Sequence, residues 1–174
     1  VVFPELCLTG YTCGDLFRDR TLISAAQKAL GDLLEQTRGM NLLAVIGLPV
    51  PVGADLYNCA AVICRGKLLG LPAKSSIPNY SEFYEARHFT PAPAYAETRF
   101  CGGTVPLGNS LIFRCESAPE LVVGVEICED LWTCCPPSAR LAQCGATLLL
   151  NPSASDEIIG KAPYRRNLVN GQSA

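Results

Sequence analysis

Residues 42–73 read LLAVIGLPVPVGADLYNCAAVICRGKLLGLPA, and this stretch decides the fold. It contains three apolar runs, Leu42–Val50, Leu56–Cys64 and Lys67–Ala73, which are separated only by short turns that contain glycine. Continuous apolar runs of this length, bounded by turn residues, are typical of buried β-strands. Short connections favour strands that are neighbours in one sheet. We therefore predict three adjacent strands that pack on the core.

The flanking segments carry both helical and strand patterns. Apolar residues follow helical spacing over Arg20–Arg38, and Pro136–Cys144 and Ile158–Asn170 are also predicted as helices. Further strands are predicted at Val1–Phe3, Ser110–Cys115, Leu121–Ile127 and Ala146–Leu150. Residues 78–106 mix Pro, Gly and aromatic residues, so we predict a long irregular loop there. Hairpins combined with crossovers predict a sandwich of two sheets flanked by helices.

Composition and charge limit the classes of partner. The chain has 174 residues, 49% of them hydrophobic and 17% charged, which is the composition of a folded domain. The net charge of −2 argues against nucleic acid or an acidic membrane surface as a partner. No apolar run approaches the roughly 18–20 residues that a membrane-spanning helix needs. Because residue 1 is Val and both ends lie inside patterned segments, we expect a piece cut at both ends from a longer protein.

The ten cysteines fit a reducing compartment better than a disulfide framework. Several lie inside apolar runs, where a free cysteine behaves as a small hydrophobic residue. No C-x-x-C pair occurs and the chain has one His, so a metal site is poorly supported. We expect mostly buried thiols in the cytoplasm, with one or two cysteines that carry chemistry.

Three apolar strands each end in a residue that can do chemistry. Glu5 follows the first strand, Lys74 directly follows the run Lys67–Ala73, and Cys128 follows the strand that begins at Leu121. A buried carboxylate can act as a base, an ammonium favours a neighbouring thiolate, and a cysteine at a strand end is a rigidly held nucleophile. Each residue alone has a plain alternative: a surface Glu, a solvated Lys or one more buried Cys.

The three segments together are more specific than any one of them. FPELCLTGY, LPAKSSIPNYSEFYE and GVEICEDLW resemble the nitrilase superfamily of carbon–nitrogen hydrolases, and within it the glutaminase domains of glutamine-dependent NAD synthetases. The resemblance runs along essentially the whole chain. It implies an α/β fold, a four-layer α-β-β-α sandwich truncated at both ends. Residues 1–174 would then form a partial glutaminase domain, with the synthetase domain outside this chain.

The resemblance also implies a mechanism. Cys128 would attack the side-chain amide of glutamine and release ammonia, and the thioester that remains would be hydrolysed to glutamate. Glu5 would act as the base, while Lys74 and the backbone N–H of Glu129 would stabilise the oxyanion. Glu82 would be the extra carboxylate beside the triad, which holds Lys74 charged and oriented.

The glutamine pocket and the partners follow from the same resemblance. The residues that it places around the pocket are Tyr11, Tyr80, Phe83, Glu85, Glu129 and Trp132, with Ser155 and Lys161 at the amino-acid end of glutamine. For Tyr11 and Phe83, core packing is the alternative. This domain would need no cofactor, since ATP and deamido-NAD would bind the synthetase domain. Its partners would be glutamine, as the substrate, and that synthetase domain. We also expect a homo-oligomer.

Two other functions stay open at this point. Another carbon–nitrogen hydrolase, such as an aliphatic amidase or an N-carbamoyl hydrolase, would share the triad and differ only in its pocket. The chain would alternatively be a catalytically incompetent fragment, in which the triad survives and the pocket does not close. A redox or metal-binding role for the cysteines is a third, weaker interpretation.

Overall fold

A computed structural model gives the structure of residues 1–174, with three α-helices and eight β-strands. In chain order these are α1 Arg20–Gln36, β1 Leu43–Val52, β2 Asp55–Cys64, β3 Lys67–Pro72, β4 Ala96–Phe100, β5 Gly103–Gly108, β6 Ile112–Arg114, β7 Val122–Val125, α2 Pro137–Gln143, β8 Leu148–Leu150 and α3 Lys161–Gln172. Short 3₁₀ helices cover Gly14–Arg18, Glu85–Arg87 and Cys128–Trp132. No helix is long and apolar enough to cross a membrane.

The strands form two sheets. The first has the order β1-β2-β3-β5-β4, so the three strands predicted from residues 42–73 are neighbours, as expected. β1 and β2 are antiparallel, from Leu43 opposite Cys64 to Val52 opposite Asp55. The second sheet has the order β6-β7-β8, in which β7 and β8 are parallel. Near the N-terminus, Val2 forms a parallel bridge to β1, which agrees with the predicted strand end.

Alternate side chains of β1 point to two different cores. Ile46 and Leu48 pack with Leu30 of α1 on one face of the first sheet. On the other face, Val45 packs with Val123 and its neighbours in the second sheet. Because strand side chains alternate between faces, a strand buried on both sides must lie in the middle of a layered structure.

The second sheet is covered in the same way on its outer face, where α2 lies. A Cβ on Gly124 of β7 would be 3.2 Å from Leu141 of α2, so helix and strand are in close contact there. The order of layers is therefore α1, the five-stranded sheet, the three-stranded sheet and α2. The predicted α-β-β-α sandwich is confirmed.

One part of the sequence prediction is wrong. Residues 78–106 are not irregular throughout, because β4 and β5 form an antiparallel hairpin within and just beyond them. The two residues of its turn, Cys101 and Gly102, have φ of 47° and 82°. Two-residue hairpin turns with positive φ at both residues favour Asn-Gly or Asp-Gly, so Cys-Gly is an unusual sequence for one. The prediction followed the prolines and aromatic residues and missed this turn.

The cysteines are unpaired. Two of them are buried, five are half-buried, and Cys134, Cys135 and Cys144 are exposed. The prediction that most of the thiols are buried is therefore wrong, because eight of the ten are at least partly accessible.

Candidate active site

The structure brings Glu5, Lys74 and Cys128 together, although they are far apart in the sequence. Lys74 Nζ donates to Glu5 Oε1 at 2.7 Å. Cys128 lies near both of these residues, because the charges of Glu5 and Lys74 each act on the pKa of its thiol. All three side chains are buried, and Lys74 is not exposed at all. The predicted convergence of the three strand ends is confirmed.

The carboxylate of Glu5 is fixed by donors from three other segments. Oε1 accepts from Lys74 and, also at 2.7 Å, from the side-chain amide of Asn58 on β2. Oε2 accepts from the backbone N–H of Ala154 at 3.0 Å. Gly47 of β1 lies directly against this segment, because a Cβ there would be 2.8 Å from the carbonyl carbon of Glu5. The side chain of Glu5 is therefore fixed by hydrogen bonds, and its backbone is fixed by close contact with β1.

The second acid beside Lys74 is Glu85. Lys74 Nζ donates to Glu85 Oε1 at 2.6 Å, and Glu85 is only 6% exposed. Burial by itself would lower the pKa of Lys74, but the carboxylates of Glu5 and Glu85 outweigh it and raise that pKa. Lys74 is therefore an ammonium at neutral pH.

The sequence-based choice of Glu82 as this acid is wrong. Glu82 is exposed at the rim of the cavity and interacts with Asp156. Glu85, which the resemblance placed in the glutamine pocket, instead lies behind Lys74 and does not line the cavity. The reason is local: Glu85 begins a 3₁₀ helix that turns it inward, whereas Glu82 stands on the loop before that helix.

Cys128 stands on a strained backbone. Its φ is 46°, a left-handed value that side chains other than Gly rarely adopt, and its N–H donates to Pro152 O at 3.1 Å. Burial, assisted by the charge of Glu5, raises the pKa of the thiol to about 12, although Lys74 opposes the change. Lys74 favours the thiolate, as expected of a neighbouring ammonium, but burial outweighs this effect, so the resting side chain is a neutral thiol.

A cavity of about 250 Å³ opens above Cys128. Seven of the eight predicted pocket residues line it, and Glu85 is the exception. These seven are Tyr11, Tyr80, Phe83, Glu129, Trp132, Ser155 and Lys161. Pro78, Ser81, Glu82, Asp156 and Ile158 complete its wall. The predicted pocket and the predicted nucleophile therefore occupy one site.

The polar groups of the cavity wall are bonded to one another. Tyr80 donates its hydroxyl to Glu129 at 2.9 Å, and Lys161 pairs with Asp156. Lys161 Nζ also lies 5.5 Å from the ring of Trp132, within the range of a cation–π contact. The cavity thus has acidic groups and one ammonium around an aromatic wall.

Tyr11 has a more definite role than core packing. Its hydroxyl donates to Glu85 Oε1 at 2.5 Å, so it shares that oxygen with Lys74. Burial, assisted by Glu85, raises the pKa of Tyr11, which keeps the phenol neutral and able to donate. Its ring lies 6.4 Å from that of Phe83, edge to face.

Two buried polar residues of the site were missed by the sequence analysis. Asn58 is fully buried and bonds Glu5 at 2.7 Å and, more weakly, Glu85 at 3.5 Å. An amide inside the apolar run Leu56–Cys64 is the signal that would have found it, since a buried polar group needs a specific partner. The other is Asp130, two residues after Cys128, which is also fully buried. No three His, Cys, Asp or Glu side chains are placed to hold a metal ion.

Comparison with known proteins identifies the family. The profile of the carbon-nitrogen hydrolase family matches residues 1–170. The chain belongs to the carbon-nitrogen hydrolase family.

The relatives are longer enzymes. The glutamine-dependent NAD(+) synthetase of Mycobacterium tuberculosis is 41% identical over an alignment that covers 99% of this chain and 26% of the relative. The corresponding synthetase of Thermotoga maritima is 34% identical, with 98% and 26% covered. This carbon-nitrogen hydrolase chain thus spans about a quarter of the length of the curated relatives that it matches.

Solved structures agree with this. The glutamine-dependent NAD(+) synthetase of Cytophaga hutchinsonii superposes with a TM-score of 0.84 at 31% identity, over 98% of this chain and 27% of the other. An amidase from Nesterenkonia superposes with a TM-score of 0.69 at 19% identity, over 98% of this chain and 57% of the other. At that identity the amidase supports the carbon-nitrogen hydrolase fold and nothing finer.

Proposed function

We propose that this chain is the glutaminase part of a glutamine-dependent NAD synthetase, which hydrolyses the side-chain amide of glutamine to glutamate and ammonia. The observation that carries the proposal is the Lys74 ammonium, which two buried carboxylates hold beside the thiol of Cys128. That arrangement provides a nucleophile, a base and a cation in one site. The names of the relatives at 41% and 34% identity support glutamine as the amide.

The first step is attack by sulfur on the amide carbon. Because the thiol of Cys128 is neutral at rest, Glu5 accepts its proton as the carbon–sulfur bond forms. The carbonyl electrons move to oxygen, where two donors are free. Lys74 donates to two carboxylates and so has one N–H left, and the backbone N–H of Glu129 makes no hydrogen bond within the protein. These two groups stabilise the oxyanion.

The second step breaks the carbon–nitrogen bond. Glu5 passes the proton to the amide nitrogen, ammonia leaves, and a thioester to Cys128 remains. Glu5 then accepts a proton from a water molecule that attacks the thioester carbon. The carbon–sulfur bond breaks, glutamate is released, and the proton returns to Cys128. The donors from Lys74, Asn58 and Ala154 hold the carboxylate in place for both proton transfers.

The cavity wall selects for the amino-acid end of the substrate. Glu129 and Asp156 offer carboxylates to the α-ammonium of glutamine, while Lys161 and Ser155 face its α-carboxylate. Lys161 is a point charge without the two-pronged geometry of Arg, so it recognises the carboxylate by charge more than by direction. A neutral simple amide has no charged groups to place against these side chains, so it gains less binding energy than glutamine.

The ammonia released in this reaction would be used elsewhere in the complete protein. We propose that a synthetase domain of the complete protein, which binds ATP and deamido-NAD, consumes it. The unpaired cysteines support a reducing compartment such as the cytoplasm. The homo-oligomer remains a prediction, which sedimentation of the complete protein would test.

Ammonia release tests the proposal directly. We expect kcat/KM for glutamine to exceed that for acetamide, propionamide and N-carbamoyl amino acids by at least about 100-fold. The reason is that the polar side chains of the cavity wall would bind the α-ammonium and α-carboxylate of glutamine. Equal or better turnover of a simple or carbamoyl amide would favour a different carbon–nitrogen hydrolase. The same assay on the 174-residue chain and on the complete protein distinguishes an incompetent fragment from an inactive enzyme.

A further inference from the structure

Asp130 is a buried acid without a cation. Its side chain is fully enclosed, and none of the ion pairs in the structure includes it. Four hydrogen bonds satisfy it instead. Oδ1 accepts from the backbone N–H of Ser75 at 3.1 Å, from the Ser75 hydroxyl at 2.8 Å and from the backbone N–H of Ser76 at 2.8 Å. Oδ2 accepts from the backbone N–H of Ile127 at 3.0 Å.

These donors lie next to two residues of the proposed mechanism. Ser75 and Ser76 directly follow Lys74, at the end of β3 in the five-stranded sheet. Ile127 directly precedes Cys128, just after β7 in the three-stranded sheet. No strand pairing joins the two sheets. The carboxylate of Asp130 is thus a polar bridge between the strand ends that carry Lys74 and Cys128.

The same carboxylate supports the strained backbone at the nucleophile. Cys128 has a φ of 46°, and a non-glycine residue keeps such a value only when its surroundings hold it there. Asp130 closes the turn in both directions, since its side chain accepts from Ile127 N–H and its own N–H donates to Ile127 O at 3.0 Å. Cys128 lies between these two bonded residues.

We propose that Asp130 is a positioning residue, which holds the backbones of Lys74 and Cys128 at one fixed separation so that thiol, ammonium and substrate meet in line. This rests on the proposed function. Asp130 does not line the cavity, so it acts through its two neighbours and not on the substrate. A shift of about 1 Å between reacting groups is enough to cost about 100-fold in rate.

The test compares three variants of the complete protein. Asp130→Asn replaces one accepting oxygen by an NH₂ group, so either Ile127 or the serine pair faces a donor in place of an acceptor. We expect kcat for glutamine to fall about 100-fold while KM changes less than about threefold. Ser75→Ala removes only the hydroxyl bond and should lower kcat by about fivefold. Ser138→Ala is the matched control, because the Ser138 hydroxyl is buried without a partner, and it should leave kcat unchanged.

A second readout separates this proposal from the proposed function. Alkylation of Cys128 by iodoacetamide, followed by peptide mass spectrometry, needs no glutamine. We expect this alkylation to be about tenfold slower in Asp130→Asn than in the parent protein, because Glu5 and Lys74 would no longer be held in position beside the thiol. If the parent releases no ammonia from glutamine, the proposed function fails, and the alkylation rates still decide on Asp130.

Three outcomes would overturn the positioning role. One is an Asp130→Asn protein that melts at a lower temperature but keeps the parent kcat per folded molecule, since Asp130 would then be structural only. Another is an alkylation rate equal to that of the parent. If Asp130→Asn does not fold, Ser75→Ala decides, and a kcat equal to that of Ser138→Ala would refute the proposal.

Discussion

The ammonium of Lys74 lies 2.6 Å from a carboxylate oxygen of Glu85, and neither residue is more than 6% exposed. A second carboxylate, that of Glu5, lies 2.7 Å from the same nitrogen. Three charged groups buried together are tolerated because the two anions surround the single cation. Glu5 and Glu85 both raise the pKa of Lys74, and Glu5 also acts on the pKa of Cys128, whereas Glu85 does not.

Replacing Glu85 by Gln should therefore impair the reaction through Lys74. Gln still offers an accepting oxygen but no charge, so the pKa of Lys74 falls toward the value that burial favours. We expect kcat/KM for glutamine to fall about 100-fold, with the alkaline limb of the pH–rate profile shifted to lower pH. Steady-state ammonia release across pH measures both effects.

Glu82→Gln is the control for this prediction. Glu82 is exposed and interacts with Asp156, not with Lys74. An exposed charge of this kind contributes little, so kcat should change by less than about threefold. If Glu82→Gln lowers kcat/KM more than Glu85→Gln does, Glu82 and not Glu85 is the acid that acts on Lys74.

The difference between Glu82 and Glu85 shows which features of the site can be predicted from the sequence and which cannot. Local patterns predicted β1, β2 and β3 because continuous apolar runs with short turns have few alternative structures. The three strand-end residues could be predicted because each is a reactive residue just after the end of such a run. Which of two nearby acids turns inward depends on the 3₁₀ helix at Glu85–Arg87, and no local pattern encodes that choice.

The protonation of Cys128 is a second feature that the sequence cannot give. It depends on a balance between burial and the charges of Glu5 and Lys74, and that balance requires the distances in the folded protein. Asn58 was missed for the same reason, because its amide has meaning only beside Glu5. The fold is thus more predictable than the site, since it follows from local patterns and the site follows from long-range contacts.

Gly47→Ala should disturb the catalytic base from the opposite side of β1. A Cβ at this position would overlap the backbone of Leu6 and Pro4 and lie 2.8 Å from the carbonyl carbon of Glu5. Backbone atoms cannot move aside cheaply, so we expect a loss of stability of about 1–3 kcal/mol and a larger loss of glutaminase activity. Gly31→Ala is the control, because nothing lies within 4 Å of its Cβ in α1. It should raise stability by up to about 1 kcal/mol, and thermal unfolding compares the two.

The pH dependence of alkylation should report the state of Cys128. Burial raises its pKa to about 12, so the fraction of thiolate grows about tenfold for each pH unit below that value. We expect the iodoacetamide rate at Cys128 to keep rising between about pH 7 and pH 9 without a plateau.

Cys115 provides an internal comparison in the same digest. A hydrogen bond with the Ser117 side chain, followed by those from backbone groups nearby, lowers the pKa of Cys115 below its ordinary value of 9.0. Its alkylation rate should therefore level off at a lower pH than that of Cys128. A plateau for Cys128 near neutral pH would mean a resting thiolate, and Glu5 would then not be needed to accept the thiol proton.

Cys128→Ala should abolish glutamine hydrolysis in the complete protein and leave the fold intact. The side chain removed is a small one at the floor of an open cavity, so the melting temperature should change by only a few degrees, about 2–4 °C. No other group can form the thioester, so ammonia release should fall to the background rate. If the complete protein makes NAD from deamido-NAD, synthesis supplied with free ammonia should survive.

Cys59→Ala is the matched control, since Cys59 is also buried but lies on β2, in the core between the first sheet and α1. That variant should lose stability and keep its turnover per folded molecule. A fully active Cys128→Ala protein, or a Cys59→Ala protein that folds normally without turnover, would show that the nucleophile has been wrongly assigned.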